Sequence, residues 1–293
     1  MSELRLVAIL AALCAASFSA RAETPAFTVV DDDGRNVVLA GTPRRIVSIA
    51  PGATEMLFAA GAGDRVIATV EYSDEPAAAK SIPRIGDSNA IDMERVVALR
   101  PDVVVVWEGG NNPAQVNQLE RLKVPLYRHK VESLAEIPVS LRRLGRLTGT
   151  EAIAQKAAAD VEARLEALRQ RYSGTSNPTV LLEVWNRPVY TVGGSHMMTD
   201  SLRLCGARNV FADLKDRGPT VDVEAVIGRD PAIIVAVAPP GVAEGWLNEW
   251  KRFATLSAVK TGRLVAFEDA RLSRLGPSAL DGTELLCKAI NGR

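Results

Sequence analysis

Histidine is almost missing from this chain, with two residues in 293, His129 and His196. Two imidazoles cannot build a clustered histidine site, so no resident metal is expected. Cysteine is scarce as well, at three residues, Cys14, Cys205 and Cys287. Net charge is absent: 35 basic residues balance 35 acidic ones. That removes the electrostatic footprint a nucleic-acid or anionic-membrane partner would need. No glycine-rich phosphate loop with a lysine occurs, nor any low-complexity tract. The stretch Gly193-Gly-Ser-His196 lacks the strand–Gly-x-Ser-x-Gly–helix setting of a nucleophile elbow. An exported serine hydrolase using Ser195 and His196 is therefore a competing reading only, and no catalytic residue is assigned. The apolar run at residues 6–16 is too short to span a bilayer comfortably.

What the chain does have, it has twice. Residues 93–107 read MERVVALRPDVVVVW, and residues 223–237 read VEAVIGRDPAIIVAV. Each places a glutamate second, then a helical turn or two, a basic residue near a proline, and a buried strand. GAGDRVIA at 61–68 precedes the first copy, and CGARNVFA at 205–212 precedes the second. A period this long implies two related lobes, since solenoid repeats are far shorter. Two lobes leave a cleft, and ligands favour clefts between domains.

A length of 293 residues suits two lobes, and 47% apolar content is ample for packed cores. Arg5, the apolar run and Ala20-Arg21-Ala22 form a secretory signal, with cleavage expected before Glu23. Leu13 is too large for the residue preceding a lipidated cysteine, so Cys14 is expected to leave with the signal. Export places the mature chain in an oxidising compartment. Two cysteines then remain and only one intramolecular pairing is possible. That bond would stabilise the fold by roughly 4–5 kcal/mol in the chain-entropy model. The alternative is two buried free thiols.

Phe27-Thr-Val-Val30 and Asn36-Val-Val-Leu39 flank Asp32-Asp33-Gly34 as a hairpin. A strand over 45–50 ends at Pro51-Gly52, and a helix over 54–60 stops at Gly61. Further strands fall at 66–69, 103–107 and 125–127, with helical segments between them. This alternation means parallel sheets covered by helices. Residues 151–172 carry a stripe of Ile153, Ala157, Val161, Leu165, Leu168 and Tyr172 at spacings of three and four. Thr150 is its N-cap and Gly174 its stop. At about 33 Å such a helix could bridge two lobes; the alternative is a core helix of the first lobe. Strands at 180–184, 233–237 and 263–267 continue a second α/β series. The fold class is α/β: two similar lobes with central parallel sheets, one long connecting helix and a ligand cleft between the lobes. The expected divisions are a signal at 1–22, a first lobe at 23–148, the helix at 149–173 and a second lobe at 174–293.

Four stretches carry a resemblance: Arg45-Ile-Val-Ser-Ile-Ala-Pro-Gly-Ala-Thr-Glu55, Tyr72-Ser-Asp-Glu-Pro76, Glu94-Arg-Val-Val-Ala-Leu-Arg-Pro-Asp102 and Trp107-Glu-Gly-Gly-Asn111. With the positions of Cys205 and Cys287, they resemble the periplasmic cobalamin-binding proteins of vitamin import systems. More broadly, they resemble the helical-backbone substrate-binding proteins of ABC importers. The resemblance covers essentially the whole mature chain. It implies a carrier, monomeric when free, that performs no chemistry and needs no cofactor. Cobalamin would be its transported ligand, and a permease dimer with its ATPase subunits its partner. It further implies that hinge motion is small. Haem and ferric-siderophore carriers share the fold and remain the alternative.

The resemblance places ligand contacts at Pro51, Gly52, Tyr72, Trp107 and Arg274, and more loosely at Trp185 and Tyr190. The residue types fit, because a flat macrocycle needs stiff apolar faces. Tyr72 and Trp107 also follow strands, where loops of an α/β lobe open into the cleft; the alternative is that each simply packs. Asp269-Ala270-Arg271 lacks the aromatic often found there, and Gly218 replaces another contacting tryptophan. A haem carrier would want an axial His196 or Tyr190. Trp246 and Trp250, at i and i+4, are expected in the core. Glu94 and Glu224 hold matched places in the two repeats, where the family's carboxylates meet permease arginines. The alternative is a helix-start glutamate favoured by the macrodipole.

Overall fold

The computed structural model describes residues 27–172, 174 and 177–292. The signal segment, with Cys14 and the cleavage site, lies outside the described residues. Strands β1 (Phe27–Val30) and β2 (Asn36–Leu39) form the antiparallel hairpin. Asp31 Oδ1 closes its turn by accepting the N–H groups of Asp33 and Arg35 at 3.1 and 2.8 Å.

The first lobe's sheet holds β3 (Ile46–Ser48), β4 (Val66–Ala68), β5 (Val103–Trp107) and β6 (Leu126–His129). All pair in parallel, in the order β4-β3-β5-β6. Helices α1 (Pro51–Ala59), α2 (Met93–Ala98), α3 (Pro113–Arg121) and α4 (Glu136–Thr148) alternate with or follow these strands. The run Val103-Val-Val-Val106 is wholly buried because both sheet faces are covered. Val103 and Val105 join one core cluster and Val104 and Val106 the other, as the two-residue period of a strand requires.

Helix α5 (Glu151–Tyr172) spans the expected 22 residues. Its buried stripe is Ala154, Ala158, Val161, Leu165, Leu168 and Tyr172. At the N-terminal end the stripe is displaced by one position, with Ala154 and Ala158 buried in place of the expected Ile153 and Ala157. Ile153 is exposed, and its side chain instead lies against Gly61. Ala154 takes the inner place because Gly145 of α4 leaves room for it; a Cβ on Gly145 would sit 2.4 Å from Ala154 Cβ. Residues 154–165 of the stripe pack in the first lobe's core, and Leu168 and Tyr172 in the second lobe's. The helix thus both belongs to the first core and reaches into the second. The Thr150 hydroxyl bonds to Ala60 O.

The second lobe runs through β7 (Thr179–Glu183), β8 (Trp185–Asn186), β9 (Val189–Tyr190), α6 (Met197–Leu204), β10 (Arg208–Asn209), β11 (Thr220–Val221), α7 (Val223–Arg229), β12 (Ile233–Val237), α8 (Ala243–Trp250), α9 (Ser257–Lys260), β13 (Leu264–Phe267) and α10 (Ala279–Asn291). Its parallel sheet has the order β10-β7-β12-β13. Strand for strand this matches the first lobe, with β12 in the place of β5 and β10 in the place of β4. The sequence repeat is therefore a repeat of structure. Even the backbone before each proline agrees: Arg100 and Asp230 lie at φ 45° and 42°. Strands β11, β9 and β8 form a separate antiparallel ribbon.

Cys205 and Cys287 are bonded, tying the end of α6 to α10 with a Cα–Cα distance of 4.7 Å. Trp246 and Trp250 are buried in the second lobe. No described helix is long and apolar enough to cross a membrane.

Candidate functional site

Parallel strands point their carboxyl ends at one edge of a sheet, and the loops leaving that edge build the site. A cavity of about 490 Å³ lies there. The first lobe contributes the start of α1 (Pro51, Gly52), Tyr72 after β4, Trp107 at the end of β5 and His129 at the end of β6. The second lobe contributes the stretch after β13, including Ser273, Arg274 and Leu275. Five of the residues expected at the ligand, Pro51, Gly52, Tyr72, Trp107 and Arg274, thus meet around one cavity.

Local geometry fixes each. Pro51 and Gly52 open α1, so the helix begins three residues earlier than the sequence pattern suggests. Proline suits this first turn because its missing N–H has no helical partner there. A Cβ on Gly52 would lie 3.1 Å from Leu275 Cβ and its carbonyl oxygen, so glycine lets the lobes touch. Tyr72 sits at φ 65° and is 75% exposed. A non-glycine residue in that region is held against its preference. Its ring is presented to the cavity and not packed away. Trp107 lies across Gly110, where a Cβ would fall 2.0 Å from the indole. The Trp107 backbone N–H donates to Asn111 Oδ1 at 2.6 Å, while Asn111 Nδ2 donates to the carbonyls of Ile49 and Ser88 at 2.8 and 2.9 Å. One buried asparagine therefore pins three loops of the rim. On its other side Trp107 borders a polar hollow of about 740 Å³ with Asn89, Glu108 and Arg128.

Glu55 on α1 joins the lobes beneath the cavity. Its oxygens accept from Ser278 N at 2.6 Å and Ser278 Oγ at 2.8 Å. Burial pushes its carboxyl up, while the Ser278 bonds and nearby Arg274 pull it down. Arg274 Nη1 is buried without a hydrogen-bond partner, as befits a cation at the wall of a site whose ligand would supply an acceptor.

Trp185 and Tyr190 do not border this cavity. They are cross-strand partners on the β8–β9 ribbon, with Trp185 edge-on to Trp246 at a centroid distance of 6.0 Å. They remain 54% and 39% exposed. With Tyr72, they are the exposed aromatics among the described residues. Glu94 and Glu224 are exposed in the first turns of α2 and α7.

The Gly193–His196 stretch is a structural turn. Glycine is required at 193 and 194 because a Cβ would lie 1.9 and 2.0 Å from the carbonyl oxygens of Asp216 and Ala212. His196 Nδ1 accepts from Met198 N at 3.1 Å, capping α6. Burial, helped by Arg217, pulls its pKa down to about 4. The ring is committed as a cap, which removes the base the hydrolase reading needs.

The sequence pattern missed Asn111, Glu55 and His129 as parts of the site. For His129 the signal was Leu126-Tyr-Arg-His129: the strand runs two residues beyond the expected 127 and delivers the imidazole to the cavity.

Two lobes of one topology, a shared helix and a cavity walled by both define a two-lobed ligand-binding protein. The family model described as periplasmic binding protein matches residues 46–270, and this chain belongs to that family. It is a binding protein and not an enzyme. It is 32% identical over 244 residues to the vitamin B12-binding protein of Vibrio cholerae, covering 83% of this chain and 87% of that one. The crystal structure of the periplasmic vitamin B12-binding protein of Vibrio cholerae superposes with a TM-score of 0.78 at 32% identity, over 85% of this chain and 97% of that one. A periplasmic haem-binding protein of Pseudomonas aeruginosa gives a TM-score of 0.75 at 25% identity, over 85% and 93%.

Proposed function

We propose that this chain captures a corrinoid, cobalamin foremost, in the periplasm and hands it to an inner-membrane ABC importer. The observation that carries the reading is Tyr72, an aromatic face 75% exposed on a cavity that Trp107 also walls. Such faces suit the flat, largely apolar surface of a macrocycle. The similarity to vitamin B12-binding proteins supports the same ligand. Pro51, Gly52, Tyr72, Trp107 and Arg274 contact the ligand, and Trp185 and Tyr190 meet the parts of it that project toward the second lobe. Glu94 and Glu224, one per lobe, meet cationic residues on the two permease subunits. Residues 1–22 are the export signal; 23–148 and 174–293 are the lobes and 149–173 the connecting helix.

Titration of the mature protein with cyanocobalamin tests the assignment. The expected result is one ligand per chain with quenching of tryptophan fluorescence. A haem carrier is the second reading, favoured by the similarity to the Pseudomonas aeruginosa structure. Tight uptake of haemin or a ferric siderophore, with no heat and no quenching from cyanocobalamin, would replace the corrinoid reading.

A further inference from the structure

Two side chains of opposite charge line the cavity, Asp74 from the first lobe and Arg274 from the second. Asp74 follows Tyr72 in the loop after β4, and that loop is fixed from beneath. Ser73 is buried, and its Oγ accepts from Thr69 Oγ1 at 2.9 Å. Thr69 Oγ1 in turn lies 2.7 Å from Thr54 Oγ1 on α1. Arg84 holds the loop from another side. Its Nη1 donates to Ala79 O at 3.1 Å, and its Nη2 donates to Ser73 O at 3.0 Å and Asp74 Oδ1 at 3.2 Å. One oxygen of the Asp74 carboxylate is thereby anchored. The other, Oδ2, receives no hydrogen bond among the described residues, and the side chain is 47% exposed. An acceptor already held in place loses little freedom when a donor arrives.

The chemistry of the two walls differs. A carboxylate only accepts hydrogen bonds, and a guanidinium only donates them. Arg84 offsets part of the Asp74 charge but does not border the cavity, so its donors are spent elsewhere. A macrocycle edged by primary amides suits both walls, because each amide carries N–H donors and a carbonyl acceptor. An edge carboxylate suits Arg274 alone. Beside Asp74 it brings no donor and adds a like charge. Placing such a repulsion against a competitor of the same shape is how a site gains specificity without new contacts.

We propose that Asp74 is a specificity-determining residue, which selects macrocycles edged by neutral amides and rejects those with a carboxylate at the same place. It separates a fully amidated corrinoid from a corrinoid acid, and equally from a porphyrin with propionate arms. The inference rests on the corrinoid reading above and names the feature by which the cleft tells its ligand from close relatives.

The probes are cyanocobalamin and its monocarboxylic acids, in which one edge amide is hydrolysed while the ring, the cobalt and every other arm are unchanged. Each is titrated into the mature protein at neutral pH and followed by tryptophan fluorescence. At least one acid is expected to bind wild type about 10- to 100-fold more weakly than cyanocobalamin, a range that allows for the solvent around a half-exposed carboxylate. The gap should narrow in about 1 M salt, where screening shortens to about 3 Å; this readout needs no substitution. Asp74→Asn keeps the size and an oxygen for Arg84 but carries no charge. It is expected to bring that acid and cyanocobalamin to the same affinity. Equal affinity of wild type for cyanocobalamin and every acid would overturn the inference and leave the carrier function standing. A gap that persists in Asp74→Asn, or that salt leaves unchanged, would overturn it too. Failure of cyanocobalamin and all of its acids to bind would remove the corrinoid reading itself.

Discussion

Glu183 ends β7 and is 1% exposed. Among the described residues its carboxylate is hydrogen-bonded by Trp250 Nε1, which donates to Oε2 at 3.0 Å. Burial pushes its carboxyl from 4.5 up to about 7; the Trp250 bond opposes the rise and the charge of Glu249 adds to it. The unfolded chain therefore releases this proton first as pH rises. Below about pH 4.5 both states hold it and the residue costs nothing. Between about pH 4.5 and 7 stability falls, and above pH 7 the penalty stays level at about 3 kcal/mol. Glu183→Gln keeps the shape and an oxygen for Trp250 but carries no charge. It should gain about 3 kcal/mol at pH 8 and nothing at pH 4. For a chain of this size that is a rise in Tm of about 6–12 °C at pH 8. Thermal unfolding of both proteins from pH 4 to 8, taken as a difference curve, cancels every other titrating group. A gap that is flat with pH, or widest at pH 4, would refute the argument that burial of this carboxylate limits stability.

Removing the disulfide by Cys205→Ser with Cys287→Ser opens a link across 82 residues and should cost about 4.5 kcal/mol in chemical denaturation; an unchanged midpoint would contradict the chain-entropy account. Tyr72→Ala should weaken corrinoid binding by about 1–3 kcal/mol, read by fluorescence titration, through lost aromatic burial. Because the ring is 75% exposed in the free protein, Tm should stay put, and a large drop would mean that Tyr72 serves the fold. Glu94→Ala with Glu224→Ala should keep ligand affinity and Tm, since exposed charges add little to folding. The same double variant should abolish uptake and co-purification with the cognate importer; normal uptake would reduce both residues to helix-start glutamates.

Much of this architecture could be read from residue order. The duplicated Glu-helix-Pro-strand unit foretold two sheets of one topology because a buried parallel strand writes itself as a continuous apolar run, as in Val103-Val-Val-Val106. The long helix was legible from its stripe. Its first turn was misjudged because the glycine that decides which residue faces inward, Gly145, lies on another helix. Tyr72 and Trp107 were legible at strand ends, and with Arg274, which the resemblance supplied, they border one cavity, whereas His129 at the end of β6 was missed. What resisted was everything set by distant partners. The Glu55–Ser278 contact joins residues 223 positions apart, and Asp32 reaches His129 across 97. Neither pairing has a local pattern, so only the folded chain reveals them. Trp185 and Tyr190 were expected, more loosely, at the ligand, but the short ribbon that holds them, two residues per strand, carries too little periodicity to place.

Three helices pack in both cores: α5, α10 and α6, whose Met197 lies in the first core and Met198 and Leu202 in the second. Along α5 the buried face passes from one core to the other, and along α10 Ala279 and Leu280 pack in the first core while Leu286, Cys287 and Ile290 pack in the second. A helix stripped of packing at one end holds poorly at the other, because isolated helices are marginal in water. Loosening either core therefore undermines both. Geometrically the molecule is a pair, but this shared packing predicts that it unfolds as a single cooperative unit, with one transition in calorimetry and no state in which one lobe is melted and the other intact.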